Sequence, residues 1–322
     1  MTAVVRTVLG DIRPDALGVV DYHEHLFQVT PLLSGDELDD EERSGAEAVM
    51  LRSAGATGVV EATPIGLGRR PAATARISAT ADLHVVHTTG VHREAHYPSG
   101  HPLLGRSLAG LVDDFARELL VGMPENDDAP SWNQALDHRG QPVRAGLLKA
   151  GVGYWSISDF ERTAVQAVGK LSAETGAPVM IHLEHGSAAH EVLDLLEATG
   201  CSLDRVALAH LDRNPDPGLH LELAGRGARL GYDGAARHHR WPDSVLIDSL
   251  AAVVAGGGVD RLLLGGDVAR ASRYVAYGGM PGLAYLFDRF VPRLRHAIGA
   301  EATTRILSNN PASWLAWAPP AR

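Results

Sequence analysis

The amino-acid sequence predicts an α/β fold, in the form of a (β/α)8 TIM barrel, and three observations support this prediction. Short apolar segments alternate with amphipathic or alanine-rich segments along all 322 residues. Eight of the apolar segments have the length of buried strands, and each is followed by a helix-like stretch. No Gly-x-Gly-x-x-Gly motif follows the first strand, which argues against the alternative, a doubly wound open sheet.

The predicted elements follow one another along the chain as strand and helix. Strands are expected at 17–23, 57–62, 83–89, 144–149, 178–182, 205–210, 228–232 and 261–266. Helices are expected near 41–54, 70–80, 106–121, 159–175, 187–198, 216–225, 243–255 and 282–297. Residues 91–106 and 122–143 are expected to be long loops, and 301–318 to form one or two short helices. Because no linker-like segment interrupts the chain, we predict a single domain over 1–322.

Composition and charge exclude several classes of partner. The net charge is −10 and the basic residues are dispersed, which argues against nucleic acid or an anionic membrane surface. No apolar run reaches 18 residues, and the N-terminus lacks the long apolar core of a signal peptide. The single cysteine, Cys201, cannot form an internal disulfide. We therefore expect a cytoplasmic protein that binds a small molecule, with a homodimer as one alternative for its assembly.

The first predicted strand ends in a His-x-His motif within Val19–Leu26. Alternate residues of a strand point to the same side, so His23 and His25 point together at its carboxyl end. Two converging imidazoles are typical of half a metal site. The alternative is a pair of hydrogen-bonded core histidines.

Four further strands end in groups that can bind or bridge metal ions, and in a barrel these ends form the active site. These groups are Lys149, His182, His210 and Asp267. Their coincidence at one end of five strands predicts a metal site. Lys149 lies in an apolar strand, where desolvation lowers the pKa of a lysine. A neutral amine can add carbon dioxide, and the resulting carbamate is suited to bridging two metal ions.

The whole pattern resembles the phosphotriesterase-related family of the amidohydrolase superfamily, in its binuclear form. The metal motif carries the resemblance most specifically, and it extends over nearly the whole chain. Further matching segments are Thr7–Asp11, Thr89-Gly90, Ala209–Asn214, Gly278-Gly279 and Asn310–Ala312. The resemblance implies a hydrolase in which a hydroxide bridging two divalent ions, with zinc as the expected metal, attacks the substrate.

The same resemblance implies a role for each candidate ligand. His23 and His25 would bind the buried ion, and Lys149 would bridge both ions as N6-carboxylysine. His182 and His210 would bind the exposed ion. Asp267 would bind the buried ion and accept the proton as general base, and Asp233 is the next candidate for that proton.

Two departures from the family pattern indicate a polar substrate. Relatives that hydrolyse insecticides carry a histidine after the aspartate of strand seven, and quorum-sensing lactonases tend to carry an arginine, whereas here Asp233 is followed by Gly234. The loop after Thr89-Gly90 is often aromatic in those relatives but is polar here, at Val91–His96. We therefore expect His92 to contact substrate, and we expect neither a greasy aryl phosphotriester nor a long acyl chain.

The loops after strands seven and eight predict that this substrate is anionic. Candidate contacts are Arg237, His239, Arg240, Arg270, Arg273 and Tyr274. Barrels often bind phosphate at these two loops, and arginine offers paired donors to an anion. Arg270 resembles an arginine of relatives that act on phosphorylated sugar lactones, although those relatives tend to have tyrosine at the position of Arg273. The alternative is that these arginines are solvated or paired with Asp and Glu.

The leading hypothesis is a metal-dependent hydrolase of a lactone or ester of a polar, sugar-like acid, with a phosphorylated sugar lactone as one form. One alternative is phosphotriesterase activity. A second alternative, from another class, is a metal-containing ligand-binding protein without turnover. The complete ligand set, including Asp267, favours an enzyme.

Overall fold

The computed structural model describes residues 3–127 and 132–317. The chain begins with an antiparallel hairpin, β1 (Val5–Thr7) and β2 (Gly10–Ile12). Eight parallel strands follow: β3 (Val20–Glu24), β4 (Gly58–Glu61), β5 (His84–Gly90), β6 (Leu147–Val152), β7 (Val179–Leu183), β8 (Val206–Ala209), β9 (Arg229–Tyr232) and β10 (Leu262–Leu264). Neighbours in the sheet follow chain order. Just beyond β10, the Asp267 amide donates to the His23 carbonyl at 2.9 Å, which brings the last strand back to the first. The predicted (β/α)8 barrel is confirmed.

Helices alternate with these strands and cover the outside of the barrel. They are α1 (Glu41–Ser53), α2 (Pro71–Ala81), α3 (Leu108–Leu120), α4 (Asp159–Thr175), α5 (Ala189–Glu197), α6 (Pro217–Gly225), α7 (Asp243–Ala255) and α8 (Val291–Ile298). A π-helical turn at Leu286–Phe290 leads into α8. The tail forms α9 (Ala300–Thr304) and α10 (Asn310–Leu315), with a second π-helical turn between them, and residue 318 of the predicted tail lies outside the described residues.

Apolar side chains fill the barrel interior, so the barrel is not an open pore. The inner cluster includes Val60, Val86, Met180 and Leu263, and Trp314 of α10 packs against it. A larger cluster lies between the strands and the surrounding helices. With the interior filled, polar chemistry is confined to the carboxyl ends of the strands.

The structure corrects the predicted position of Lys149, which does not end its strand. β6 runs from Leu147 to Val152 and pairs with β7 beyond Lys149, through Ala150↔Ile181 and Val152↔Leu183. Lys149 can remain inside the strand because the carbonyl of Ala62 accepts a hydrogen bond from its ammonium group at 2.7 Å. The amino-terminal hairpin was not predicted, because its strands have only three residues each. No helix among the described residues is long and apolar enough to cross a membrane.

Candidate metal centre

His23 and His25 are held so that their Nε2 atoms point at one space. The Nδ1 atom of His23 lies 3.1 Å from the Asp233 carboxylate, and Nδ1 of His25 lies 2.7 Å from the Thr63 hydroxyl. That hydroxyl donates to a backbone carbonyl, so it accepts from His25. Both rings therefore carry a hydrogen on Nδ1 and a lone pair on Nε2, which is the tautomer that a metal ligand requires.

His182 of β7 and His210, at the end of β8, form a second pair of candidate ligands. Nδ1 of His182 and Nε2 of His210 lie 2.7 Å apart. The outer nitrogens contact carboxylates, at 3.1 Å to Glu184 and 2.6 Å to Asp233. When both outer nitrogens donate to these carboxylates, two lone pairs face the same space, an arrangement that a cation stabilises. Burial lowers the pKa of both histidines, that of His210 to about 3, so both are neutral and able to bind metal at neutral pH.

Asp267 lies between the first histidine pair and two arginines. Its Oδ1 atom lies 3.4 Å from Nε2 of His25 and 3.8 Å from Nε2 of His23, whereas Oδ2 accepts from Arg213 at 2.9 Å and from Arg237. Burial favours the neutral acid, but its other interactions, led by the positive charge of Arg237, outweigh it and hold the pKa of Asp267 well below its usual range. One oxygen of an ionised carboxylate therefore faces the histidines.

Lys149 is fully buried beside these ligands. Its Nζ atom lies 3.5 Å from Nε2 of His23. Burial lowers the pKa of the amine to about 8, although the charge of Asp267 partly opposes this shift. A substantial neutral fraction is therefore present near neutral pH, as formation of a carbamate requires.

The donor set fits a metal centre. The ligand atoms of His23, His25 and Asp267 lie within 4.8 Å of one another, and so do those of His23, His210 and Asp233. The ring centres of His23 and His210 lie 5.1 Å apart, so the two histidine pairs adjoin. Neutral imidazoles and ionised carboxylates are the ligands that zinc and similar divalent ions prefer. The structure thus brings together all the residues predicted as metal ligands.

Two adjoining cavities open from this cluster. The inner cavity has a volume of about 290 Å³ and is lined by the candidate metal ligands together with His92, His96 and Gln28. The outer cavity has a volume of about 500 Å³. Glu184, Arg213, Arg237 and Arg270 line both cavities, so the two cavities adjoin.

The structure separates the predicted substrate contacts into three groups. His92 lines the inner cavity. The outer cavity is lined by Arg237, His239, Arg240, Arg270 and Arg273. Tyr274 lines neither of these two cavities: it is fully buried, and its hydroxyl donates to the backbone carbonyl of His25. Its ring packs in the apolar core, so Tyr274 supports the His-x-His segment from behind and does not contact the cavity space.

The sequence did not predict which residues orient the candidate ligands. Asp233 braces His23 and His210, Thr63 orients His25, and Glu184 contacts both His182 and Arg93. Arg213 contacts Asp267. Asp233 could have been found in the sequence in the same way as Asp267, because it too is a carboxylate just after a strand. The other residues make contacts between side chains of different loops, and such contacts leave no periodic pattern in the sequence.

Comparisons with known proteins agree with this geometry. A family model described as the phosphotriesterase family matches residues 3–315. A phospho-furanose lactonase of Mycoplasmopsis synoviae (strain 53) is 30% identical over 97% of this chain and 91% of that protein. An N-acetyltaurine hydrolase of Danio rerio is 27% identical over 97% of each chain. The crystal structure of the lactonase Lmo2620 from Listeria monocytogenes aligns with a TM-score of 0.86 and 28% identity, covering 97% of this chain and 98% of that one.

Fold, site and relatives together define a (β/α)8-barrel hydrolase whose histidines and carboxylates can hold metal ions. The chain belongs to the phosphotriesterase family.

Proposed function

We propose that this protein is a metal-dependent lactonase whose substrate is the lactone of a phosphorylated sugar acid. The observation that carries this proposal is the outer cavity, which five arginines line and which adjoins the inner cavity of the candidate metal ligands. These arginines are Arg213, Arg237, Arg240, Arg270 and Arg273. A phosphate bound among them would place a short sugar ring over the metal ligands.

The arginines of this cavity are not fully paired within the protein. Nε of Arg237 and Nη2 of Arg273 are buried and have no hydrogen-bond partner in the described part of the chain. Burial, followed by the positive charge of Arg237, lowers the pKa of Arg273. Crowded guanidinium groups with free donors are stabilised by an anion that accepts several hydrogen bonds, as a phosphate does.

The proposed chemistry uses two divalent ions, with zinc as the expected metal. When bound, they would supply a bridging hydroxide at neutral pH and polarise the lactone carbonyl. His23, His25, His182 and His210 would hold the ions, and Lys149, as a carbamate, would bridge them. Asp267 would accept the proton of the attacking hydroxide through its ionised carboxylate and would return it to the alkoxide that leaves as the ring opens.

The named relatives support this assignment by their chemistry. One is named a phospho-furanose lactonase and another a lactonase, and both align over nearly the whole of this chain. The alternative of phosphotriesterase activity has less support, because polar side chains such as His92 and His96 line the inner cavity where an aryl group would lie.

The test compares a sugar lactone with its phosphorylated form, using zinc-loaded wild-type protein and Arg270→Ala. Arg270 lines both cavities, and its nearest carboxylate, Asp36, lies 4.0 Å away, so its charge is available to a ligand. We expect wild type to favour the phosphorylated lactone. Arg270→Ala should lower kcat/KM for that substrate by about 10-fold or more, with a much smaller effect on the unphosphorylated lactone.

A matched control is Arg295→Ala, which removes an arginine from α8 that lines neither cavity. Equal catalytic efficiency on both lactones, unchanged by Arg270→Ala, would remove the anion site from the proposal. An aryl phosphotriester hydrolysed faster than either lactone would favour the alternative function.

A further inference from the structure

Two side chains that line the inner cavity each carry a buried polar atom without a hydrogen-bond partner in the described part of the chain. Oε1 of Gln28 and Nδ1 of His96 accept or donate no hydrogen bond within residues 3–127 and 132–317. Gln28 is 6% exposed and His96 is 8% exposed, and both line the inner cavity. A buried polar group without a hydrogen bond destabilises the fold, so the wall that Gln28 and His96 form holds hydrogen-bonding capacity that the protein itself does not use.

His92 adds a hydrogen-bond donor of defined position to the same wall. The backbone amide of Arg93 donates to Nδ1 of His92 at 2.8 Å, so that nitrogen has no hydrogen of its own. The hydrogen of the ring therefore lies on Nε2. Because His92 lines the cavity, its ring can donate this hydrogen to a ligand there.

The rings of His92 and His96 lie next to the candidate metal ligand His182. The rings of His92 and His96 stack with their centres 3.5 Å apart, and the His92 ring centre lies 4.5 Å from that of His182. The His92 amide donates to the Tyr97 hydroxyl at 2.9 Å, which anchors the backbone of this loop. A ligand on the metal ions would thus meet a rigid polar wall.

We propose that Gln28, His92 and His96 form a subsite that binds the ring hydroxyl groups of a polyhydroxylated lactone. This inference rests on the proposed lactonase function. Hydroxyl groups both donate and accept, so those of a sugar ring can pair with the Gln28 amide, the Nε2 hydrogen of His92 and the His96 imidazole. An alkyl or aryl ring would leave these atoms unpaired, so the subsite selects sugar lactones over apolar ones.

The experiment measures selectivity between two lactones that differ only in their ring hydroxyls. Zinc-loaded wild type, Gln28→Leu and His96→Phe are compared on a phosphorylated sugar lactone and on its deoxygenated analogue. His96→Phe keeps an aromatic ring to stack on His92, so it removes only the polar atoms. Each variant should lower the ratio of kcat/KM between the two substrates by about 10-fold, mainly through a higher KM.

Two further measurements separate a polar role from a structural one. Zinc content and melting temperature should match those of wild type in both variants. Binding of a sugar lactam, in which N–H replaces the ring oxygen, should weaken in the variants by a similar factor in calorimetry. His101→Phe is the control, since His101 belongs to the same loop but does not line either cavity, and its selectivity ratio should stay unchanged.

The possible outcomes distinguish this inference from the proposed function. Wild type that hydrolyses both lactones equally, or variants that keep the wild-type ratio and lactam affinity, would overturn the hydroxyl subsite and leave the lactonase standing. Wild type that hydrolyses neither lactone would overturn the lactonase, and with it the subsite.

Discussion

At the scale of single residues, Asp233 contacts one candidate ligand of each proposed metal ion. Its Oδ2 atom lies 3.1 Å from Nδ1 of His23, and its Oδ1 atom lies 2.6 Å from Nδ1 of His210. Tyr22 also donates to Oδ2. Burial favours the neutral acid, but the two histidines outweigh it and hold the pKa of Asp233 well below its usual range. One carboxylate thus fixes the tautomer of a ligand in each pair, which links the geometry of the two ion sites.

The proposal of two metal ions depends most directly on Lys149. We expect Lys149→Ala to lose the proposed bridge, to bind fewer than two ions per chain and to lose activity about 100-fold or more. A small carboxylic acid such as propionate should restore part of the activity, because it can occupy the place of the carbamate. Metal analysis and lactone hydrolysis, with and without propionate, check both expectations.

Lys170→Ala is the matched control, because Lys170 is an exposed residue of α4 that lies 4.0 Å from Glu174. It should keep full metal content and activity. If Lys149→Ala bound two ions and hydrolysed the substrate at the wild-type rate without propionate, the carbamate bridge would have to be abandoned.

At the scale of elements, a buried arginine ties the loop after β4 to α3 and to the long loop beyond it. Arg69 is fully buried and contacts Glu118 at 2.8 Å and Asp127 at 2.8 Å. Replacing Arg69 by Met would leave two carboxylates buried without their partner. We expect a loss of about 3–5 kcal/mol in the free energy of unfolding, measured by urea denaturation.

The control for this prediction is Arg76→Met, in α2. Arg76 pairs with Glu41 at 2.7 Å, but its side chain is 57% exposed. Surface ion pairs contribute less than about 1 kcal/mol, so this variant should be nearly as stable as wild type. If the two variants had the same free energy of unfolding, the buried Arg69 cluster would stabilise the fold no more than a surface ion pair does.

Another contact between elements makes stability depend on pH. His220 of α6 is fully buried, with Nδ1 2.6 Å from the hydroxyl of Tyr232 in β9, and that hydroxyl contacts Ser249 of α7 at 2.9 Å. Burial lowers the pKa of His220 to about 4, from an ordinary value near 6.5. The unfolded chain therefore binds a proton more readily than the folded one, and this stabilising contribution is lost as pH falls from 6.5 to 4.

Between pH 6.5 and pH 4, we expect wild type to lose the stabilising contribution of His220. The variant His220→Gln has no group that titrates at this position, so it should not lose this contribution. The difference in unfolding free energy between the two proteins should shrink by on the order of 3 kcal/mol between pH 7 and pH 4. His190→Gln, at an exposed histidine of α5, is the control for the substitution itself. A constant difference across this range would mean that His220 titrates normally in the folded protein.

At the scale of the whole molecule, much of the site follows from the sequence because of one property of parallel barrels. The carboxyl ends of all eight strands meet on one face, so a histidine or aspartate at a strand end can be placed without knowing any contact. His25, His182, His210 and Asp267 were predicted in this way. His210 and Asp267 also have left-handed backbones, with φ of 67° and 44°, which no periodicity in the sequence indicates.

The rest of the site depends on where side chains of different loops meet, which the strand pattern does not determine. Tyr274 was predicted to contact substrate because it lies in the loop after the eighth strand. Its ring instead lies in the core, because the loop turns it inward. Gln28 and His96 belong to different loops, and their free polar atoms become apparent only when both face one cavity.

The most direct test of the central claim is a zinc titration of metal-free protein, with hydrolysis of a phosphorylated sugar lactone followed after each addition. Two ions held by the ligands described above predict that activity is absent with chelator and rises until two equivalents per chain are bound. Full activity in excess chelator, or a plateau at a single bound ion, would contradict a two-metal lactonase.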